Sequence, residues 1–336
     1  QLYGCTLNGL GYFLRFTKEE EKKIVTQKTM VAQSKDAVFF KASFNTSELG
    51  GTMLDKSIKM GYELITNTSA HIGPQVRDPA KRFAGNNLSC TNCHLNAGTK
   101  PFAAPFVGIV GLFPQYRGRE NRLGTIEERI NGCMERSMNG RKLPDDSEEM
   151  RAMITYMKWI SKGVPTGHNV QGQGFADIKV PNRAVDLEKG RIVFTQKCVS
   201  CHAVDGQGQK QESKNTNTTK YIYPPLWGND TYNHGAGMNR VLTAAKFIKA
   251  NMPLGATHKN PLLTDEEAYD VAGYINSFGR PKKKNPEKDF PDLKQKPVSC
   301  PYPPYADPFP QKQHQTGPFP EIIQFYQKKY KLKKKK

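Results

Sequence analysis

This chain of 336 residues lacks any run of 18 consecutive apolar residues, which excludes a single-pass helical membrane anchor within it. Acidic residues are scarce as well, 31 against 50 Lys and Arg, and the formal charge of +19 creates a field that attracts anions or an acidic partner. No nucleic-acid-binding motif accompanies that charge, so no nucleic-acid partner is expected. Part of the excess is a terminal lysine tail, Lys331 and Lys333 to Lys336, which reads as solvated. An initiator methionine is also missing. Gln1 stands in its place, and the expectation is an exported protein whose signal peptide has been removed. The run Leu2-Tyr3-Gly4-Cys5 is faintly similar to a lipoprotein cleavage site, which leaves lipid anchoring at Cys5 as a minor alternative.

What the chain does contain is cysteine in a specific pattern. Cys90-Thr91-Asn92-Cys93-His94 and Cys198-Val199-Ser200-Cys201-His202 both match Cys-x-x-Cys-His, the attachment sequence of c-type haem. Two thiols three positions apart can bond the two vinyl groups of one porphyrin, and the adjacent imidazole then ligates the iron. With 7 Cys and 7 His in the chain, a chance match is expected about three times in a thousand such sequences, so two matches predict two covalently bound haems c. A zinc site or a thioredoxin-like pair would not explain the histidine after each motif. Haem attachment places the protein in the periplasm, because these thioethers are made outside the cytoplasmic membrane, where disulfides also survive.

An internal repeat sets the architecture. Gly61-Tyr62-Glu63-Leu64-Ile65-Thr66 is similar to Gly190-Arg191-Ile192-Val193-Phe194-Thr195, and Ser147 to Tyr156 aligns without a gap on Asp265 to Tyr274. Each pair reads as the first and last amphipathic helix of a small cytochrome. The expected fold is mainly α, with two class I cytochrome c domains in tandem. The boundaries are an N-terminal extension at 1–50, a first domain at 51–163, a linker at 164–180, a second domain at 181–280 and an extended Pro-rich C-terminal arm at 281–336, expected to pack over the surface.

The repeat also serves as a ruler for the distal iron ligands. Met252 lies 22 residues before Tyr274, and Cys133 lies 23 before Tyr156, which places Met252 over the second iron and Cys133 over the first. His94 and His202 are the proximal ligands. Methionine opposite histidine raises the reduction potential and a thiolate favours the ferric state, so the two haems should differ. Met238, in a Gly-rich loop, is the rival ligand for the second iron, and an inert buried thiol is the alternative for Cys133.

Cys133 sits in a segment, Thr125 to Met138, that reads as a helix carrying Arg129 and Ser137 on the same face, with Arg136 close by. Arg117, Arg119 and Arg122 precede it, and Arg141 and Lys142 follow. The cluster predicts an anion site beside the first haem and a cysteine of lowered pKa. Its bland alternative is pairing of Arg129 and Arg136 with Glu128 and Glu135 on a solvated face.

The segments Asn87 to His94 with Ala97-Gly98-Thr99, Tyr116 to Arg122, Ile126 to Arg129, Asn131 to Asn139 and Cys300 to Asp307 closely resemble the thiosulfate dehydrogenase family, and the resemblance runs from about residue 50 onward. It implies a periplasmic dihaem enzyme that couples two thiosulfates into tetrathionate, reversibly in some members, with an electron-accepting cytochrome or other redox protein as partner. It further implies that Cys133 is both distal ligand and catalytic sulfur, with Arg119, Arg129 and Ser137 around the substrate. Some relatives carry a lysine just before the second methionine. Here that residue is Asn251, so a stable His202/Met252 pair is expected. The rivals are a non-catalytic dihaem electron carrier and a cysteine-ligated cytochrome subunit of a sulfur-oxidising complex. Cys5 and Cys300 remain, free or bridged.

Overall fold

The computed structural model describes residues 3–7, 10–14, 45–212 and 218–334. The fold is mainly helical and contains two cytochrome c domains, each built on a crossed pair of helices. In the first domain α1 (Met53–Thr66) crosses α3 (Glu148–Trp159), with α2 (Ile126–Arg136) between them in sequence. In the second, α4 (Leu187–Lys197) crosses α6 (Asp265–Ser277), which also packs on α5 (Val241–Asn251). No helix among the described residues is long and apolar enough to cross a membrane.

The two crossings share one device, a glycine. A Cβ on Gly61 would lie 2.1 Å from the Ala152 carbonyl oxygen and 2.7 Å from the Tyr156 Cβ; one on Gly190 would lie 2.3 Å from the Asp270 oxygen and 2.8 Å from the Tyr274 Cβ. The repeated Gly and Tyr are therefore the same contact made twice, with the tyrosine ring covering a helix surface that must be bare for the backbones to approach.

Local sequence sets the helix ends. Thr52, Thr125 and Thr264 each close a capping box with the acidic residue three positions on. Helix α2 stops where Asn139 takes a left-handed conformation and Gly140 abuts the Phe83 carbonyl. The apolar stripe of α1, Ile58, Leu64 and Ile65, joins Met134, Met150, Met153 and Met157 in the first core.

The arm departs from the expectation of an extended strap. It is irregular up to Pro310, with short 3-10 turns at Pro286–Lys288 and Leu293–Gln295; α7 (Gln311–Thr316) and α8 (Phe319–Tyr330) follow, and Phe319, Ile322 and Tyr326 bury in the second core. The hydrophobic spacing of α8 explains this, as its apolar residues recur at three and four positions. In the lysine tail Lys331 and Lys333 are exposed, as expected, whereas Lys334 donates to the Lys296 carbonyl at 2.7 Å and sits 4.1 Å over the Tyr326 ring. Cys300 is buried beside Phe290 and Tyr302, while the side chain of Cys5 lies outside the described residues, as do Lys335 and Lys336.

Candidate functional site

The first attachment motif forms one wall of a mainly apolar pocket. Cys90, Cys93 and His94 line it together with Phe106, Met134, Met138, Met153 and Met157, and Cys133 and Ser137 reach it from α2. The second domain completes the enclosure through Tyr232 and Met238. Met238, the rival ligand for the second iron, lines this pocket and also packs against the second core.

The residues fit a haem at this place. His94 Nδ1 lies 2.6 Å from the Ala104 carbonyl, so that nitrogen carries the proton and Nε2 is left as the free ligand atom. His94 and Cys133 line the same pocket, and His94 is close enough to help lower the Cys133 pKa. Burial raises the Cys90 thiol to about 11 and that of Cys93 to about 12. No cluster of three or more His, Cys, Asp or Glu suited to a bare metal ion occurs among the described residues.

Cys133 is different. Burial alone would raise its pKa, but the Arg129 guanidinium, His94 and Arg136 outweigh it and bring the thiol down to about 5. Arg129 Nη1 donates to Cys133 Sγ at 2.8 Å, one helical turn away, as the shared face of α2 predicts. The inert-thiol alternative requires an apolar, unpolarised setting, and this setting is cationic.

The bland pairing does not occur. Glu128 is taken by Arg122, and among the described residues no carboxylate lies within ion-pairing distance of Arg129 or Arg136. Arg117 is held by Glu120 at 2.8 Å, and Arg141 stacks on Phe83 and donates to the Arg82 carbonyl, so these two point elsewhere. Arg119 turns inward from a tight hairpin, where the arm captures it: Nη1 meets Asp289 at 2.5 Å and Tyr302 Oη at 3.0 Å, with Phe290 stacked on the guanidinium. Arg240, at the start of α5, joins the group from the second domain; Arg119 and Arg129 are close enough to repel its charge. Sequence reasoning missed Arg240, Asp289 and Tyr302, because each reaches the first domain only through tertiary packing.

The second motif is built in parallel. His202 is buried and its Nδ1 lies 2.8 Å from the Pro224 carbonyl, again freeing Nε2. Cys198 and Met252 both pack against the second core, and Cys201 and Ser200 stand beside them at the end of the motif. Asn251 Nδ2 donates to the carbonyls of Phe102 at 3.1 Å and Phe247 at 3.0 Å, tying the two domains together.

Comparison with known proteins agrees with this layout. Residues 80–166 match the SoxA/TsdA cytochrome c domain, and residues 187–279 match the cytochrome c family. The thiosulfate dehydrogenase of Allochromatium vinosum is 43% identical over 240 residues, covering 70% of this chain and 83% of that protein. That of Stutzerimonas stutzeri is 41% identical over 203 residues, 60% of this chain and 63% of the other. Among solved structures, the thiosulfate dehydrogenase TsdBA from Marichromatium purpuratum in its as-isolated form superposes with a TM-score of 0.65 at 31% identity, covering 81% of this chain and 56% of that one. The chain therefore spans less than two thirds of these last two relatives, but most of the first. Identity at this level over this share of a relative does not arise by coincidence, and the chain belongs to the thiosulfate dehydrogenase family of cytochromes c.

Proposed function

We propose that this protein oxidises two thiosulfates to tetrathionate outside the cytoplasmic membrane, with Cys133 as its nucleophile. The observation that carries the reading is the Cys133 thiol itself, held 2.8 Å from Arg129 in the pocket that Cys90, Cys93 and His94 of the first attachment motif also line. His94 and Cys133 would hold the first iron and His202 and Met252 the second, with Cys90, Cys93, Cys198 and Cys201 as the thioether positions. The haems, when bound, accept the two electrons of the reaction singly and relay them to an external redox protein.

The protein's own groups account for the rest. The Cys133 thiolate joins the sulfane sulfur of one thiosulfate; a Cys–S bond forms, two electrons leave, and a cysteine S-thiosulfonate remains. A second thiosulfate attacks that sulfane sulfur, releasing tetrathionate and returning the thiolate, with no further redox change. Arg129 donates to the reacting sulfur, Ser137 lines the same cavity, and Arg119, fixed by Asp289 and Tyr302, adds positive charge near Arg136. Bringing two dianions together costs electrostatic energy that only preorganised cations in a water-poor site offset. The second step has no net electron transfer, so the same residues support the reverse reaction when electrons are supplied.

The test is anaerobic turnover of the dihaem protein and of Cys133→Ala with thiosulfate and a one-electron acceptor. Tetrathionate from the parent and none from a fully haem-loaded variant supports the reading. Silence from both would leave an electron carrier, and activity only with an added thiosulfate-carrying protein would indicate a subunit of a larger sulfur-oxidising complex.

A further inference from the structure

We propose that a strand pair of the second domain, Gln209–Glu212 with Thr219–Tyr223, is a positioning element for electron transfer: it fixes the spacing between the two haem attachment motifs. The proposal rests on haem attachment at both motifs. The strands pair antiparallel, with Lys210 opposite Tyr221, and begin seven residues after His202. Gly208 makes the reversal possible, since its φ is +72° and a Cβ there would lie 2.1 Å from the Tyr223 carbonyl oxygen.

The pair bonds to the third residue of each motif. Gln209 Nε2 donates to the Ser200 carbonyl at 2.9 Å, inside the motif that runs from Cys198 to His202. The Tyr221 carbonyl, on the other strand, accepts from Asn92 Nδ2 at 3.3 Å, inside the motif that runs from Cys90 to His94. The Asn92 amide is oriented by its other end: its Oδ1 accepts the Ser89 backbone N–H at 2.7 Å, which leaves the nitrogen for Tyr221. The Tyr223 and His202 rings stand edge to face with centroids 6.3 Å apart, and the Pro224 carbonyl, 2.8 Å from His202 Nδ1, holds the same imidazole. The run from Tyr221 to Pro224 thus touches both motifs.

Further contacts brace the second strand against the first domain. Thr219 donates its backbone N–H to Gln75 Oε1 at 2.7 Å, and Gln75 Nε2 donates back to the Thr219 carbonyl at 2.6 Å. The Tyr221 ring packs on the first core, and its hydroxyl donates to Asp230 at 2.8 Å. Asp230 in turn accepts the backbone N–H of Asn87, three residues before Cys90, at 2.8 Å. Domains of one chain shift relative to each other unless their interface prevents it, and electron tunnelling falls exponentially with separation. A tie at each attachment motif therefore has a kinetic consequence: one electron leaves the first iron and reduces the second, with no bond made or broken, across a gap that these contacts hold constant.

Asn92→Asp tests the first tie, because a carboxylate still accepts from Ser89 but cannot donate to Tyr221, and the Cys-x-x-Cys-His pattern stays intact. Gln209→Leu removes the second tie. In each haem-loaded variant a flash-generated one-electron reductant is supplied below stoichiometry, and passage of the electron from the first haem to the second is timed by absorbance. Pulsed electron paramagnetic resonance of the oxidised protein gives the distribution of iron-to-iron distances. The expected result is passage slowed about tenfold in both variants with a broadened distance distribution, full haem loading and unchanged reduction potentials. Passage within about twofold of the parent overturns the proposal, as does slowed passage with an unchanged distance distribution. Shifted potentials or lost haem would place the effect inside one motif, which also overturns it. Absence of any intramolecular passage in a parent loaded with both haems would instead defeat the relay on which the proposal rests.

Discussion

Arg119 and Asp289 stand 170 positions apart and meet at 2.5 Å, with the hydroxyl of Tyr302 donating to the same carboxylate oxygen at 2.7 Å. The C-terminal arm thus reaches back to fix a cation of the first domain, one close enough to Arg136 and Arg240 to repel their charges. The Phe290 backbone N–H donates to the Arg119 carbonyl at 2.7 Å, and Lys283 adds a second ion pair to Asp289 at 3.3 Å. An arm read from its composition as packing also holds a charged side chain of the first domain.

Removing that carboxylate should be costly. Asp289→Asn leaves the Arg119 charge buried and unpaired, a change worth about 3–5 kcal/mol in comparable buried pairs. Thermal unfolding of the haem-loaded variant at neutral pH measures the loss, and a melting temperature equal to the parent's would refute the clamp.

The same pair predicts an acid dependence. Burial pushes the Asp289 carboxyl up, but Arg119, Tyr302, Lys283 and Arg136 together hold it below the usual 3.8. A depressed carboxylate contributes stability that is fully present above its unfolded value and disappears as pH falls through its folded one. The stability difference between parent and Asp289→Asn should therefore be constant at neutral pH and shrink below about pH 4. Denaturant titrations across that range check the sign.

Arg129→Gln removes the donor on Cys133 Sγ and the principal cation lowering that thiol. Formation of the Cys133 adduct should slow by about a hundredfold, while haem content stays unchanged. Stopped-flow mixing with thiosulfate gives the rate; an unaltered rate would remove Arg129 from the reaction.

Met252→Ala should lower the potential of the second haem, because a thioether ligand opposite histidine favours the ferrous state. Redox titration should show one wave moved to lower potential and the other in place. Movement of both waves, or of neither, would contradict Met252 as a ligand to one iron.

Gly61→Ala and Gly190→Ala test the repeat. Each added methyl group would collide with backbone of the opposing helix, and overpacking of this kind costs about 1–3 kcal/mol or more. Comparable destabilisation in both variants is expected from calorimetry, and a neutral effect in either would separate the two crossings.

Much of this protein is determined by its sequence alone. The Cys-x-x-Cys-His pairs encode haem attachment because the chemistry demands those atoms at that local spacing. The helix crossings are legible because a glycine and a tyrosine recur in register. Cys133 and Arg129 could be placed together since four residues on one helix bring side chains to the same face, and a single turn of helix needs no tertiary information. What the sequence could not assign was which charges converge. Arg117, Arg122 and Arg141 look as suitable as Arg119 and Arg136 in composition, yet local carboxylates, a ring and backbone carbonyls engage them. Arg240, Asp289 and Tyr302 join the site only because the domains and the arm fold over one another, and charges separated by more than a hundred residues interact only once folding has removed the water between them.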